Sequence, residues 1–513
     1  MTFWLALLLS GLSGLVALSS ELIWFRTWSF AVMGMASSFG ALLGLYLLGI
    51  ALGSFASGRL CRDRAPEALR PLVRAVALCV LAASVLGFLV TPVIALASTL
   101  GRQPVALLFV ALNTTLLGAV FPLISHLGVP PDDRAGSRVS YVYVANIVGS
   151  ATGSLLTGFV LMDLWSLRTL ATVVALAGLV LSAGVLVLSR PSRAGLVRGF
   201  TTIGVVAGAI LALGPGLYHH AYEKMQQGLA YDPSRSFAHV VETRSGVITV
   251  TADGQIYGGG AYDGVFQVDL HDDRNGIYRA LAMGSMRPDV REVFMVGLAS
   301  GSWARVVAAF PSLRRLTIVE INPGYLELLR RYPGGAELLA NPKVHIVIDD
   351  ARRWLQRHQD ARFDLVVQNT TWHWRGHITN LLSREYLELV RAHLTPGGMF
   401  YFNTTFSPHA QKTAITVFPH AWRVGGFVAV SDAPIAFDKA RWGGFLTSFR
   451  IDGRPLLDLS AARDRAVLED LLADIDAIDA TKPNTGFETR DHMAARLAPY
   501  ELVTDDNMIV EWQ

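Results

Sequence analysis

Val293-Phe-Met-Val-Gly297-Leu-Ala-Ser-Gly301-Ser-Trp303, a helical stretch to Phe310 and then Leu316-Thr-Ile-Val-Glu320 read in order as strand, glycine-rich turn, helix and strand. That succession is the first βαβ unit of a doubly wound parallel sheet. Glycines at 297 and 301 let the backbone turn tightly and present N–H groups at a helix start. An acid that closes the second strand accepts hydrogen bonds from both hydroxyls of a ribose, and Glu320 stands in that place. Many βα turns need glycine for geometry alone, so the signal is the turn together with Glu320 about 20 residues on. A purely structural Glu320 stays open at this point.

Outward from this unit the same rhythm continues. Val344-His-Ile-Val-Ile348 ends in Asp349-Asp350-Ala351, and Phe363-Asp-Leu-Val-Val-Gln368 ends in Asn369-Thr370-Thr371-Trp372. Both strand ends fall at the carboxyl edge of the sheet, where open α/β sheets bind ligands, and Asp350 is suited to accept from an adenine amino group. His393-Leu-Thr-Pro-Gly-Gly398 then ends a helix before a strand from Met399 to Asn403. Upstream, Val247–Ala252 and Val265–Leu270, punctuated by Asp253-Gly254 and Gly258-Gly259-Gly260, read as a β-hairpin region, with a helix expected over Asn275–Met283.

The remainder of the chain is of another kind. With 513 residues, 52% hydrophobic and 17% charged, the sequence is too long for one ordinary domain and too apolar for a purely soluble one. The apolar excess lies before Tyr218, in seven runs near the roughly 20 residues that span a bilayer. They are Phe3–Phe25, Met33–Ser57, Leu72–Ala97, Val105–Leu127, Tyr141–Met162, Leu167–Leu188 and Phe200–Leu217. The expected organisation is a multi-pass helical membrane domain over 1–218, a linker and β-hairpin region over 219–284, a Rossmann-like domain over 285–451 and a helical tail over 452–513. The tail holds an amphipathic stretch, Ser460–Ile478, and no assignable motif. Met1–Trp24 has neither a basic start nor a cleavage pattern and reads as a retained helix.

Small residues recur at helical spacing at Gly40, Gly44, Gly49 and Gly53, and again at Gly149 and Gly153, a pattern of close helix packing or of a substrate path. Glu21 and Asn146 are the exceptional polar residues within the runs. Glu21 is either a functional group or half of an interface ion pair with Arg26. The loops after the second, fourth and sixth runs carry Arg59, Arg62, Arg64, Arg70, Arg74, Arg134, Arg138, Arg190, Arg193 and Arg198, against Arg26, Arg102 and Arg168 opposite. By the positive-inside rule the first set is cytoplasmic, and seven spans then place the α/β half outside. Supply of an intracellular nucleoside argues for the cytoplasmic face instead. The expected location is the cell (inner) membrane with the bilayer itself as a partner. A formal charge of +3 without a basic, aromatic-laced stripe excludes nucleic acid as an indicated partner. Cys61 and Cys79 both lie in the membrane half, so the α/β half has no cysteine metal site.

From Ala261 to Asn403 the sequence resembles the spermidine synthase (polyamine aminopropyltransferase) family, and the whole chain resembles its membrane-fused branch, described as fused major-facilitator/spermidine synthase proteins. Tyr262-Asp-Gly-Val-Phe-Gln267 matches the family's L-D-G-x-x-Q, Gly297–Gly301 takes the place of its G-G-G-D-G turn, Val319-Glu-Ile321 matches V-E-I-D, and Asp350-Ala-Arg352 stands for D-G-R. The resemblance implies nucleoside contacts at Gln267, Glu320 and Asp350-Ala351, with the turn residues Gly297, Ser300 and Gly301 around an adenosyl sulfonium. The departures carry as much information. Ser300 stands where the family has the acid that helps bind the donor's propylamine, Asn369-Thr-Thr-Trp372 where it has D-S-T-D-P, and Tyr278-Arg-Ala280 where it has Tyr-His-Glu.

A protonated diamine needs carboxylates to hold it and a base to free one nitrogen, which neither asparagine nor tryptophan supplies. Loss of an acid beside the donor's tail removes repulsion against an α-carboxylate, and Arg279 is placed to pair with one. The expected substrate is therefore S-adenosylmethionine or its decarboxylated form, the intact compound preferred, with no metal cofactor. The expected reaction cleaves the propyl-side carbon–sulfur bond by transfer, cyclisation or elimination, releasing methylthioadenosine, with a small-molecule or membrane-associated acceptor and a homo-oligomer as a further partner. Candidate catalytic residues are Asn369, Trp372, His373 and Tyr278. Indoles can face a sulfonium, and His373 or His377 titrates near neutrality; the pair's spacing also fits a shared metal, but a third ligand is missing. The alternatives are ordinary aminopropyl transfer with Asp263, Asp269, Asp272 or Asp273 in place of the lost acids, methyl transfer, and a non-catalytic transporter or sensor.

Overall fold

The computed structural model describes residues 1–61, 66–369, 372–476 and 486–512. Arg62, Arg64, Thr370, Thr371, Ile478 and Gln513 therefore lie outside the described residues. The chain divides into two compact units, Met1–Phe237 with Glu242–Val247, and Ala238–Val241 with Ile248–Gln513.

Among the described residues the first unit has seven helices long and apolar enough to cross a membrane: α1 (Phe3–Ala31), α2 (Ser37–Gly58), α3 (Pro66–Thr99), α4 (Gln103–Gly128), α5 (Ala135–Leu156), α6 (Leu167–Leu188) and α7 (Arg193–Leu217). Large apolar side chains on their outer surfaces are open, Val180 at 72% and Val205 at 66%, the inverse of a water-facing helix and the pattern of a lipid-facing one. The glycine stripes divide in two. A Cβ on Gly49 or Gly53 would strike Thr114 or the Thr115 carbonyl of α4, and one on Gly149 or Gly153 would strike the backbone of Gly11 or Leu15 in α1. Gly40 and Gly44 meet nothing within 4 Å, so close packing explains the stripe only from Gly49 onward.

Asn146 is an interhelical clamp. Its Nδ2 donates to the Ser10 carbonyl at 3.0 Å, satisfying a polar group that lipid would leave unpaired. Of the two readings of Glu21, the ion pair with Arg26 does not form. Five residues on a helix place two side chains about 140° apart, and Arg26 instead donates to the Gly246 carbonyl. Thr157–Leu161 continues α5 as a π-helical turn, where Thr157 donates to Ser19 of α1 at 2.9 Å.

After the helices comes a four-stranded antiparallel sheet in sequence order: β1 (His239–Thr243), β2 (Gly246–Val250), β3 (Gln255–Gly258) and β4 (Ala261–Val265), with β3 and β4 wholly in the second unit. The strand expected over Val265–Leu270 stops at its first residue. Asn275 accounts for this: its side chain takes the Val265 N–H and donates to the carbonyls of Val265 and Gln267, the places a ladder partner would fill.

The main sheet has eight strands: β5 (Glu292–Val296), β6 (Arg315–Glu320), β7 (Val344–Ile348), β8 (Phe363–Gln368), β9 (Leu394–Asn403), β10 (His420–Val424), β11 (Phe427–Ser431) and β14 (Phe487–Thr489). A separate two-stranded ribbon is formed by β12 (Arg450–Ile451) and β13 (Arg454–Pro455). The order is β14-β10-β11-β9-β8-β5-β6-β7, parallel from β9 to β7 and antiparallel beyond. The strands are apolar on both sides because each face is covered. Helices Ile277–Met286, Ser302–Ala308 and Lys439–Ser448 share one core with Leu365 and Tyr401, while Ala351–Arg357, Arg384–Ala392 and Pro408–Val417 share the other with Val366 and Phe400. The region expected as a helical tail also enters this sheet. Its helix spans Ala462–Asp476, and Phe487–Thr489 pairs antiparallel with Trp422–Val424 as the edge strand.

Candidate active site

Strand order reverses between β5 and β8, and there the turn after Val296 and the loop after Gln368 diverge to leave a crevice. A cavity of about 220 Å³ occupies it, walled by Gly297, Leu298, Ala299 and Ser300 of the first loop, Asn369 and Trp372 of the second, Asn403 and Thr405 beyond β9, and Tyr262, Asp263, Gly264, Arg274, Asn275 and Arg279 from upstream. A cavity within the helical bundle is far smaller, about 20 Å³, the room of a single water.

The glycine turn works as local physics requires. Gly297 has φ +84° and Gly301 φ +71°, conformations costly for any residue with a Cβ. Gly297 lies on the cavity wall, whereas a Cβ on Gly301 would strike Leu329 and Leu338, so that second glycine serves packing. Ser300 donates to Ser302, which in turn donates to the Val265 carbonyl and ties the turn to the antiparallel sheet. A Cβ on Gly264, at φ +133°, would meet Asn275 and Ser300, which is why that motif position is glycine.

Glu320 is buried beneath the turn, its two oxygens accepting the N–H groups of Leu298 at 2.8 Å and Asn322 at 2.7 Å. Burial pushes its carboxyl up to about 7, against those two hydrogen bonds. It sits behind the wall and holds β5's turn to β6. Asp350 caps the helix Ala351–Arg357 by accepting the Arg353 N–H at 2.8 Å, with Ala351 buried as that helix's first residue. Gln267 donates to the Asp272 carbonyl at 2.6 Å. None of Gln267, Glu320, Asp350 and Ala351 is on the cavity wall.

Arg279 is on it. Its Nε and Nη2 donate to the carbonyls of Gly276 and Asn275, and its guanidinium lies over the rings of Phe427 at 5.0 Å and of Trp303 and Tyr278 at 5.8 Å. Among the described residues no carboxylate forms an ion pair with it. The neighbouring cation, Arg274, is matched by Asp253 and Asp272 at 3.0 Å each. Tyr278 packs beside Gly425 rather than on the wall.

The four acids weighed as replacements meet different fates. Asp269 accepts the His271 N–H, Asp272 pairs with Arg274, and Asp273 accepts the N–H groups of Ile277 and Tyr278 at the start of their helix. Only Asp263 reaches the cavity. It accepts the Tyr325 hydroxyl and lies near Arg375; burial pushes its carboxyl up, and both neighbours oppose this. Gly258 and Gly259 make room for that group, since Cβ atoms there would strike Tyr325, Asp263 and Arg375. Sequence reading passed over Tyr325 and Arg375 because no motif spacing links them to Asp263.

At the far wall Asn403 donates to Asn369 at 3.2 Å and accepts the Thr405 N–H at 2.8 Å, while Thr405 holds His373. Trp372 and Trp374 stack with centroids 6.4 Å apart at the rim. Asn275, Asn403 and Thr405 carried no sequence signal, being short polar residues at strand ends. Among the described residues no group of three histidine, cysteine, aspartate or glutamate side chains is disposed to hold a metal.

Residues 281–423 match the spermine/spermidine synthase domain. The α/β half thus contains a spermidine synthase-like domain over these residues. The chain is similar to the polyamine aminopropyltransferase of Mycobacterium tuberculosis (strain CDC 1551 / Oshkosh), 28% identical over 334 residues covering 61% of this chain and 60% of that protein. It is also similar to polyamine aminopropyltransferase 2 of Streptomyces coelicolor, 27% identical over 390 residues covering 70% and 69%. The match thus spans about 60% of the length of the mycobacterial relative. Among solved structures, spermidine synthase from Thermotoga maritima aligns with TM-score 0.36 at 14% identity, covering 47% of this chain and 84% of that one. Within the spermidine synthase frame, the wall formed by Asn369, Asn403 and Thr405 is neutral, and the wall at Arg279 is cationic.

Proposed function

We propose that the domain binds an adenosyl sulfonium that retains its α-carboxylate, intact S-adenosylmethionine, and cleaves its propyl-side carbon–sulfur bond to release methylthioadenosine. The observation that carries this is Arg279: a guanidinium on the cavity wall, over three aromatic rings, with no direct ion pair among the described residues. Its hydrogen bonds go to neutral carbonyls and the Asp273 carboxylate acts on it without a direct ion pair, and a guanidinium held in this way inside a cleft attracts an anionic ligand group. Ser300 beside it places no negative charge against such a group.

The sulfonium is an activated leaving group. Attack at the propyl carbon sends the carbon–sulfur electron pair to sulfur and discharges it as a neutral thioether. Positioning and a modest base suffice for this. Isothermal calorimetry of the purified chain, with S-adenosylmethionine and its decarboxylated form side by side, tests the ligand, and mass spectrometry of the adenosyl product tests the bond. Tight binding of the decarboxylated compound alone would refute the reading; S-adenosylhomocysteine as product would indicate methyl transfer.

The second reading is aminopropyl transfer to a polyamine, favoured by Asp263 on the wall and by the relatives' names. A polyamine formed from the decarboxylated donor would establish it. The helical unit makes the protein a multi-pass membrane protein on this reading, with the domain on the cytoplasmic face where the sulfonium is supplied; a reporter fused at Gln513 distinguishes the faces.

A further inference from the structure

Among the described residues of the neutral wall, Thr405 is the hydroxyl held by a titratable side chain. Its Oγ1 accepts the His373 backbone N–H at 3.0 Å and shares a hydrogen with the same residue's ring Nδ1 at 2.7 Å. Its backbone sits at φ +44° and that of Phe406 at φ +66°, the left-handed region that a β-branched residue avoids. Strain of this kind survives only where the surroundings over-determine it, and it clusters at functional sites. Here the Asn403 side chain takes the Thr405 N–H, and the backbone N–H groups of Thr404 and Ser407 close on Gly426 and Thr404. The turn thus sets Thr405 on the cavity wall with its hydroxyl bonded to an imidazole.

We infer that Thr405 and His373 are the proton-accepting pair of this site, replacing the carboxylate base that Asn369 lacks; this rests on the transfer reading above. Thr405, on the wall, is the catalytic residue, and His373, behind it, is the positioning residue. An acceptor H–X attacks the propyl carbon. The C–X bond forms, and the C–S bond breaks with its electrons passing to sulfur. The acceptor's proton moves to Thr405 Oγ1 as the threonine proton moves to His373 Nδ1. The sulfonium charge ends on the imidazolium, so charge and atoms balance, and no co-reactant is needed.

The surroundings keep the ring ready to accept. Burial holds the imidazole below its ordinary value, a backbone bond at Thr405 opposing and His409 of the helix Pro408–Val417 adding. Of the other charged groups nearby in sequence, Arg375 lies by Asp263, and Glu511 of the C-terminal turn is taken by the N–H groups of His377 and Thr379.

The test uses the full chain in detergent, with methylthioadenosine release from S-adenosylmethionine followed across pH. The wild type is expected to lose kcat/KM below an acidic limb. His373→Gln and Thr405→Val should abolish that limb and lower kcat about 100-fold with the sulfonium Kd within about threefold, and Thr405→Ser should restore both. A His373→Gln chain that keeps the limb and the rate overturns the pair. Binding without turnover in the wild type also overturns it while leaving the ligand reading intact. Turnover of the decarboxylated donor alone overturns the ligand reading, and the same profile on that donor then judges the pair.

Discussion

Asn403 Nδ2 donates to Asn369 Oδ1 at 3.2 Å, joining the carboxyl ends of two adjacent parallel strands on the cavity wall. The register puts them there: Gln368 faces Phe402, so the next residues are neighbours. Two neutral amides thus satisfy one another at a wall where a polycation would need charge. Asn369→Asp restores a carboxylate without changing shape. Calorimetry should show affinity for a diamine rising about tenfold, one charge-assisted hydrogen bond's worth. No gain would mean that the wall does not contact the acceptor.

Arg279 offers the complementary test at the donor end. Replacing it with glutamine removes the charge while keeping a donor, and S-adenosylmethionine should bind about 10- to 100-fold more weakly, the range of a hydrogen bond to a charged group. Methylthioadenosine, which has no carboxylate, should bind unchanged. Equal losses for both ligands would show that the guanidinium supports the fold and not the tail.

Glu320 makes stability depend on pH in a defined direction. Burial raises its carboxyl from 4.5 to about 7, so between those values the folded chain holds a proton that the unfolded chain has released. The stability this contributes is full below 4.5 and lost as pH rises to about 7, on the order of 3 kcal/mol in all. Thermal unfolding of Glu320→Gln should lack that slope. The variant should also be weakened at every pH, since one amide oxygen cannot serve both N–H groups, at about 1–3 kcal/mol. A slope equal to the wild type's would place the proton elsewhere.

Within the helical unit, glycines of the two stripes should divide by what they touch. A Cβ on Gly149 would lie 1.8 Å from the Gly11 carbonyl oxygen, so Gly149→Leu must push α5 from α1 and cost about 1–3 kcal/mol or more. Gly44→Leu meets open space and should leave the melting temperature in detergent within a degree or two. Indistinguishable variants would exclude α1–α5 packing as the stripe's role.

Sequence alone determined a good deal of this protein. Seven apolar runs, the glycine turn at 297–301 and the acid at 320 are local patterns, set by bilayer thickness, backbone sterics and strand period, and they can be read without knowing what packs against what. They do not reveal which residues also carry capping and packing. Asp350 and Asp273 sit at helix starts and serve them, and Val265 ends its strand because Asn275 occupies its backbone. The site's chemistry depends on tertiary structure alone. Asn369, His373, Asn403 and Thr405 come from two loops, the bonded pairs 34 and 32 residues apart, and Asp263, Tyr325 and Arg375 from three segments; only parallel register and the turn held at Thr405 bring them within hydrogen-bonding range. Short polar side chains at strand ends have no period and no spacing rule, so what they do is decided by what the fold places opposite them.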